Sequence, residues 1–179
     1  MYIRVKTAKS KSGNIRKYAY LVSTKWRKTK TPKQKSKKYL GRVYTLEKNT
    51  NKSIKEIPDF EKYLKTKKLK QIIRDLIKIE LLNHNFIETK KNYLIYQNLV
   101  VDLRSNQIID KQNNNPITIE LNKNYLNSYT LNKLINYKPT KDLIDLQIGK
   151  EFATTFISAG IPIDQEVFIS LFKEKILIK

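Results

Sequence analysis

The residues with the clearest chemical potential in this chain are basic side chains interleaved with aromatic ones near its start. The first 44 residues hold 15 Lys and Arg and no Asp or Glu. Six aromatic side chains lie among these cations: Tyr2, Tyr18, Tyr20, Trp26, Tyr39 and Tyr44. Cations neutralise phosphates with release of counterions, and an exposed ring can stack on a base. The segment is therefore predicted to bind nucleic acid.

The predicted contacts to nucleic acid are all the cations of this segment together with three aromatic side chains. They are Arg4, Lys6, Lys9, Lys11, Arg16, Lys17, Tyr18, Tyr20, Lys25, Trp26, Arg27, Lys28, Lys30, Lys33, Lys35, Lys37, Lys38 and Arg42. Residues 25–30 and 33–38 bring eight of these cations to one edge of the segment. Trp26, the only tryptophan, either stacks on a base or caps a small core. The alternative for the whole segment is ordinary strand tyrosines beside a solvated face of lysines.

Charge is distributed unevenly along the chain. The formal net charge is +21, and residues 45–179 hold 22 basic and 16 acidic side chains. Residues 142–179 hold six acids and four lysines, so this end does not have the charge of a polyanion binder. Its apolar residues suit a core, a homodimer interface or contact with a protein partner. A bias toward Lys, Ile and Asn, typical of AT-rich genomes, raises lysine counts everywhere but does not explain the acid-free start.

Composition disfavours several other kinds of site. The chain has no cysteine and one histidine, His84, so thiolate chemistry is absent and His84 cannot build a metal site unaided. Its four glycines lie far apart, which excludes a Gly-rich phosphate loop. No apolar run approaches the roughly 20 residues of a membrane-spanning helix, and the start lacks the apolar region of a signal peptide. We therefore expect an intracellular protein, cytoplasmic or nucleoid-associated, with no cofactor, metal or membrane contact.

Three carboxylates decide whether an enzyme is predicted. Asp102 ends an apolar strand, as the first metal ligand of a nuclease would, and Asp110 and Glu120 follow it. The strands continue into helices without a parallel crossover repeat, and no later acid has a comparable context. Asp102 is therefore interpreted as a strand-end or turn residue, and no catalytic residue is predicted.

The elements that position the basic segment are predicted to be strands. Residues 2–7 alternate between apolar and polar, residues 15–24 give the strongest strand pattern, and residues 33–43 supply a third strand. Together they predict a three-stranded antiparallel meander, in which Gly41 is interpreted as a bend. Such a sheet is barely stable alone, so one of its faces must pack on something.

The middle of the chain is predicted to mix helices and strands. Residues 45–58 are polar and have no period, which is typical of a linker. Asp59 can cap a helix with apolar positions between Phe60 and Ile77, and this helix either covers the meander or belongs to the second half. Further along, the patterns predict strands at residues 93–103, 107–110 and 117–121, and a short helix at residues 129–136.

The end of the chain is predicted to be a helical hairpin. The apolar stripe of its first helix consists of Ile144, Ile148, Phe152, Phe156 and Ala159. Gly160 ends that helix, and Pro162 and Asp164 open the last one. The predicted fold class is α+β: an N-terminal meander (residues 1–44), a linker (45–58), and a mixed α+β domain that ends in the hairpin (59–179).

Four short motifs of the basic segment resemble a known family. They are Tyr2-Ile3-Arg4, Lys11-Ser12-Gly13, Tyr18-Ala19-Tyr20-Leu21-Val22 and Tyr39-Leu40-Gly41-Arg42. They resemble the basic β-leader that precedes the catalytic domain in some insertion-sequence transposases. The resemblance covers about a quarter of the chain and implies a DNA-facing β-module, not an enzyme. In architecture the meander also looks like the three-stranded sheets by which integrase arm domains lie in a major groove.

These patterns together predict a non-catalytic nucleic-acid-binding protein that contacts mainly the phosphate backbone, with DNA slightly ahead of RNA. One alternative is a structural protein of the ribosome or another RNA particle. A second is a metal-dependent nuclease or transposase-like enzyme that uses Asp102 with Asp110 or Glu120. A third is a regulator whose C-terminal hairpin dimerises and spaces two basic modules on a duplex.

Overall fold

The computed structural model describes residues 1–9, 13–26, 32–140 and 143–177 of the chain, and the side chains of residues 25, 26, 32 and 33 lie outside that description. Its content is mixed α and β, with antiparallel strands first and two helices last, which confirms the predicted fold class. No helix among these residues is long and apolar enough to cross a membrane.

The basic segment forms the predicted antiparallel meander. Its strands are β1 (Tyr2–Lys9), β2 (Ile15–Trp26) and β3 (Pro32–Thr45). Ile3 pairs with Leu21 and Val5 with Ala19, so the apolar residues of β1 and β2 share one face. The pairing of β2 with β3 shifts register between Ala19 and Tyr20 and again between Leu21 and Val22. Such irregularities bend a strand and increase its twist.

The far end of β2 and β3 runs on as a two-stranded ribbon. The pairing of β1 reaches only to Val22, and no other described strand pairs with residues 23–26 or 32–35. We call these two stretches the β2–β3 ribbon.

Two helices, not one, follow the predicted linker. They are α1 (Phe60–Thr66) and α2 (Leu69–Asn83). Lys67 and Lys68 between them are extended, which turns the chain. The Tyr63 hydroxyl donates to Asp75 Oδ2 at 2.6 Å, a contact that one continuous helix would forbid because 12 residues span about 18 Å.

Asp59 lies at the predicted N-cap position of α1, but the capping hydrogen bond expected from its side chain is absent. Asp59 has a left-handed backbone, with φ 52° and ψ 49°, and its side chain makes no capping hydrogen bond. An N-cap carboxylate reaches the first free N–H groups from an extended backbone, which Asp59 does not have.

The middle of the segment predicted as a linker is hydrogen-bonded to the C-terminal end of α2. Asn83 Oδ1 accepts from Thr50 Oγ1 at 2.7 Å and from the Lys52 N–H at 2.9 Å. A 3-10 helix (Ile54–Glu56) follows, and Ile54 is buried in the core. The polar character of this stretch therefore reflects hydrogen bonds to α2.

A second sheet of four antiparallel strands fills the middle of the chain. Its strands, paired in chain order, are β4 (Ile87–Lys90), β5 (Tyr93–Tyr96), β6 (Leu99–Asp102) and β7 (Gln107–Asp110). The run at residues 93–103 is two strands, because Gln97 at φ 52° turns the chain back on itself. Strand β4 was not predicted from the sequence, because its four residues (IETK) hold a single large apolar side chain.

The last two strands join the second half of the chain to the meander. They are β8 (Ile117–Leu121) and β9 (Asn124–Asn127). Residues 42–45 of β3 pair with β8 in parallel, which gives a five-stranded sheet of order β1-β2-β3-β8-β9. A parallel pair needs a long crossover, and here α1, α2 and the second sheet supply it. The sheet thus runs across the boundary that the sequence placed between residues 1–44 and 59–179.

Gly41 makes that junction possible. Its φ is 110°, and a Cβ built on it would lie 2.1 Å from the Pro116 carbonyl oxygen and 2.5 Å from Ile117 Cα. The glycine is therefore required for the close approach of β3 to β8, and the bend predicted from the sequence understates its role.

Three helices complete the chain. They are α3 (Ser128–Ile135), α4 (Asp145–Ala159) and α5 (Gln165–Lys175). Gly160 ends α4 in the left-handed conformation, as predicted, and the Phe152 and Phe168 rings of the hairpin lie 5.7 Å apart. Ile144 does not join the predicted buried stripe: it is 64% exposed, because it is the extended N-cap before the first turn of α4.

The buried apolar residues form one large cluster and one small one. The small cluster consists of Ala19, Leu21, Leu40 and Val43, with Ile3, Val5, Tyr125 and Tyr129 packed against it. Tyr125 of β9 and Tyr129 of α3 therefore cover the apolar face of the meander. The α2 residues Ile72 and Ile73 belong to the large cluster, so that helix packs with the second half of the chain.

Replacing Gly41 with Ala is expected to destabilise the protein strongly, because the new methyl group meets backbone atoms that cannot move aside. We expect a loss of about 3 kcal/mol or more in the free energy of unfolding, measured by urea titration. Gly13→Ala is the matched control: Gly13 also has a positive φ, 83°, but a Cβ there meets nothing within 4 Å. It should cost about 1 kcal/mol. Equal losses in the two variants would contradict the close-approach explanation.

Candidate nucleic-acid interface

Strand alternation places cations and tyrosines together on the face of the meander opposite its small core. Arg4 pairs with Tyr20, and Lys6 pairs with Tyr18. Across the next strand pair, Tyr18 faces Arg42 and Tyr20 faces Tyr39. We call this surface the cation–tyrosine face. It comprises Arg4, Lys6, Tyr18, Tyr20, Tyr39, Arg42 and Tyr44.

Tyr39 lies at the centre of the aromatic group on this face. Its ring centroid is 5.4 Å from that of Tyr20 and 6.4 Å from that of Tyr18, with planes tilted by 53° and 41°. The side chain is 43% exposed. Partial burial, together with the neighbouring Tyr18, Tyr20 and Tyr44 hydroxyls, raises the pKa of Tyr39 above its ordinary value of 10.0. The hydroxyl therefore stays neutral and adds no negative charge to the face.

Two of the cations are held over tyrosine rings. Lys6 Nζ lies 5.3 Å from the ring centroid of Tyr20, and Arg42 Cζ lies 4.9 Å from that of Tyr44. Cation–π contacts at exposed sites contribute about 0.5–1 kcal/mol each. They orient the two charges, so less side-chain freedom is lost when a phosphate binds.

A third cation of the face is also oriented. Arg4 Nη1 donates to the Gln34 side-chain oxygen, an exposed contact between β1 and β3. The Arg4 guanidinium has further N–H groups that this single contact does not use.

The other predicted contacts differ in how accessible their charge is. Lys9, Arg16, Lys35, Lys37 and Lys38 are exposed. Lys17 is 3.5 Å from Glu120 and is the only basic side chain among the described residues of the meander that makes an ion pair. Part of its charge is thus neutralised by the second half of the chain.

Several predicted contacts fall outside the described part of the chain. Lys11, Arg27, Lys28 and Lys30 lie outside the described residues. Lys25, Trp26 and Lys33 are strand positions of the β2–β3 ribbon, where only the backbone is described. The two roles offered for Trp26 therefore stay predictions.

Tyr39 and Tyr44 were not among the nucleic-acid contacts predicted from the sequence. Strict alternation from Arg42 would place Tyr39 on the apolar side of β3. At the register shift Leu40 has no partner on β2, and its side chain is buried in the small core. Tyr39 therefore pairs with Tyr20 and lies on the same face as Tyr20. The signal that was available is the pair Leu40-Gly41, because glycine inside a strand often marks a bulge.

The carboxylates considered for catalysis have structural partners. Asp102 Oδ1 accepts from the Arg104 N–H at 2.8 Å, and Oδ2 accepts from the Ser105 hydroxyl at 2.8 Å, so Asp102 closes a turn. Asp102 pairs with Gln107 and Asp110 with Leu99, at opposite ends of one strand pair. The two therefore lie about 10 Å apart along the strands.

Glu120, the third of these acids, lies on the five-stranded sheet. Its Oε2 accepts from Thr45 Oγ1 at 2.7 Å and contacts Lys17. In the described ranges, no group of three or more His, Cys, Asp or Glu side chains could hold a metal ion.

The most buried titratable pair, Glu80 and His84, joins three parts of the chain. Glu80 Oε1 accepts from Asn122 Nδ2 at 2.7 Å and lies 3.0 Å from His84 Nε2, while Lys48 Nζ is 3.3 Å from Oε2. His84 Nδ1 lies 3.0 Å from the Glu47 carbonyl oxygen. Burial acts to raise the pKa of Glu80, but the hydrogen bonds from His84 and Asn122 and the charge of Lys48 outweigh it and lower the pKa. Because both carboxylate oxygens have partners, we interpret the pair as structural.

The helical hairpin exposes apolar side chains. Leu146 is 80% exposed, Ile157 62% and Ile169 42%. The homodimer or protein partner expected at this hairpin stays a prediction.

The candidate site rests on the geometry and charge of the meander. No family model matches the chain, and neither a curated protein nor a solved structure matches it. The resemblance of the basic segment to a transposase leader stays a prediction.

Replacing Glu80 with Gln is expected to lower the free energy of unfolding by about 2 kcal/mol at neutral pH, because charge-assisted hydrogen bonds from His84, Lys48 and Asn122 are lost or weakened. The folded pKa of Glu80 lies below its ordinary value of 4.5, so the stabilisation is present above that pH and is lost as the pH falls through the folded pKa. Urea titrations at neutral and acidic pH should show the difference between the two proteins shrinking in acid. Glu61→Gln, at an exposed position of α1, is the control. A difference that does not change with pH would contradict the role of the carboxylate.

Proposed function

We propose that this protein binds nucleic acid through its N-terminal meander and catalyses no reaction on it. The observation that carries the proposal is the cation–tyrosine face, an exposed sheet surface on which Lys6 and Arg42 are held over tyrosine rings. Oriented cations and partly exposed rings are the two components that nucleic-acid surfaces combine.

Electrostatics supports the proposal. All 15 cations of the first 44 residues lie in a segment with no acid of its own. Of these cations, Lys17 is the only one in the described residues that forms an ion pair, and its partner is Glu120 of β8. A surface with one sign of charge raises the local concentration of a polyanion and speeds its association. Binding to phosphates then releases counterions, so affinity falls steeply with salt and depends little on sequence.

The shape of the meander also supports the proposal. The β2–β3 ribbon extends beyond the pairing of β1 and of β8, so two strands project from the sheet. A two-stranded ribbon is narrow enough to enter the major groove of duplex DNA. Together with the resemblance to a transposase leader, this shape supports the proposal that DNA is slightly preferred over RNA.

The second half of the chain supports a binding role over a catalytic one. Asp102 closes a turn, and Glu120 holds Lys17 and Thr45. We therefore propose that Asp102 and Glu120 stabilise the fold and do not bind a metal ion.

Replacing Lys35, Lys37 and Lys38 together with Gln is expected to weaken binding to a labelled duplex by about tenfold or more at low salt. The slope of log affinity against log salt should fall by about 3, since each lysine on a phosphate contributes about one unit. Fluorescence anisotropy between about 50 and 200 mM salt measures both quantities. These side chains are exposed, so the fold should be retained.

The matched control replaces the exposed residues Lys62, Lys65 and Lys67 with Gln. It removes the same amount of charge, but from the α1 region. This control should bind like the unchanged protein. Equal losses in the two triple variants would show that total charge, not the meander, attracts the duplex. An affinity that did not change with salt would overturn the proposal altogether.

Competition between duplex DNA and structured RNA decides which nucleic acid is preferred. The proposal expects the duplex to compete at least as well as the RNA. A strong preference for RNA, with co-sedimentation on ribosomal subunits, would favour the role in an RNA particle.

A further inference from the structure

We propose that the cation–tyrosine face binds unpaired nucleotides, with a base stacked on Tyr39 and the flanking phosphates at Lys6 and Arg42. This inference rests on the proposed nucleic-acid function and adds the class of substrate. It concerns the outer face of the meander, which is a different surface from the lysines of the β2–β3 ribbon.

The rings on the face are not equally available. Those of Tyr20 and Tyr44 carry Lys6 and Arg42 over them, so each already has a cation as a partner. Tyr39 has no such cation among the described residues and is 43% exposed. Its contacts with Tyr18 and Tyr20 are tilted by 41° and 53°, so neither ring stacks flat upon it. Tyr18 also has no such cation but is half-buried, so Tyr39 is the most exposed ring of this face and the one best placed to accept a base.

The cations lie where the phosphates of a stacked nucleotide would fall. Arg4, Tyr20 and Tyr39 follow one another across β1, β2 and β3, and adjacent strands lie about 4.8 Å apart. Lys6, Tyr18 and Arg42 form the neighbouring row. Arg42 lies farther along β3, paired with Tyr18. A base placed on Tyr39 would therefore have both cations in the next row, Arg42 on the same strand and Lys6 held over Tyr20, about one nucleotide away.

A base pair inside a duplex cannot stack on this surface. Its two faces are already covered by neighbouring pairs, and only unstacked bases are free to lie on an aromatic side chain. Stacking of this kind tolerates any sequence, since every base has a π-face. The rings of Tyr20 and Tyr44 orient cations for phosphates, but the exposed ring of Tyr39 orients none, and an unpaired base would cover it.

The test compares oligonucleotides that carry equal charge. Binding of a 12-nucleotide oligo-dT, a 12-nucleotide oligo-U and an abasic 12-mer with the same phosphates is measured by anisotropy competition at one salt concentration. The unchanged protein should bind the oligonucleotides with bases about tenfold more tightly than the abasic one. Comparison of oligo-dT with oligo-U then shows whether DNA or RNA is the source of the unpaired strand.

Tyr39→Ala should remove most of this preference while leaving affinity for the abasic strand and its salt slope unchanged. Tyr39→Phe retains the ring and should retain the preference. Thermal unfolding monitors the fold of both variants, and Tyr93→Ala, on the second sheet, is an aromatic truncation that should leave the preference intact.

The outcomes separate this inference from the function on which it rests. Equal affinity for the abasic strand and for both strands with bases would overturn the stacking inference and leave phosphate binding standing. Retention of the full preference in a folded Tyr39→Ala variant would overturn the role of Tyr39. Failure of every oligonucleotide and of duplex DNA to bind would overturn the proposed function itself.

Discussion

The parallel pairing of β3 with β8 is the interaction on which the rest of this structure depends. The small cluster of the meander contains only four buried apolar residues, which is too little core for the sheet to be stable alone. Its third strand therefore pairs with β8, where Gly41 lets the two backbones meet and Thr118 Oγ1 donates to the Leu40 carbonyl oxygen at 3.0 Å. Without that junction, Tyr125 and Tyr129 would not lie over the apolar side of the meander.

This mode of attachment matters because the meander carries so much charge of one sign. Like charges on a small sheet repel one another and oppose its compact state. Neutralising them with acids would stabilise the sheet but would remove its attraction for polyanions. Backbone hydrogen bonds to β8 and apolar contacts to Tyr125 and Tyr129 hold the sheet with almost no loss of charge, since Glu120 alone forms an ion pair with it in the described residues.

Local patterns in the sequence predicted the local parts of this fold. The meander strands follow from alternation, and the end of α4 follows from a glycine with φ 71°. The pairing of β3 with β8 could not be predicted, because it joins residues more than 70 positions apart and no local pattern records such a contact. The break between α1 and α2 at Lys67 and Lys68 could not be predicted, because both residues are good helix formers. Tertiary contacts, such as that of Tyr63 with Asp75, stabilise two helices instead of one.

The candidate site, too, was predictable only where it depends on local sequence patterns. The charge of the meander and most of its aromatic residues could be read from the sequence, but the place of Tyr39 depends on a register shift at Leu40. Turns were hard to locate for a compositional reason. The chain has only four glycines, and asparagine takes the left-handed positions instead, at Asn85, Asn92, Asn106, Asn114 and Asn122. An Asn-rich sequence does not reveal which asparagines turn the chain.

The 14 residues of β3 also have a mechanical meaning. One end of this strand belongs to the β2–β3 ribbon, and the other is hydrogen-bonded to β8 inside the folded body. A pull on the ribbon directed along the strand would therefore load the β3–β8 hydrogen bonds in shear, all at once, instead of peeling them apart one by one. The junction is therefore expected to resist a force applied along β3 better than a force applied across it.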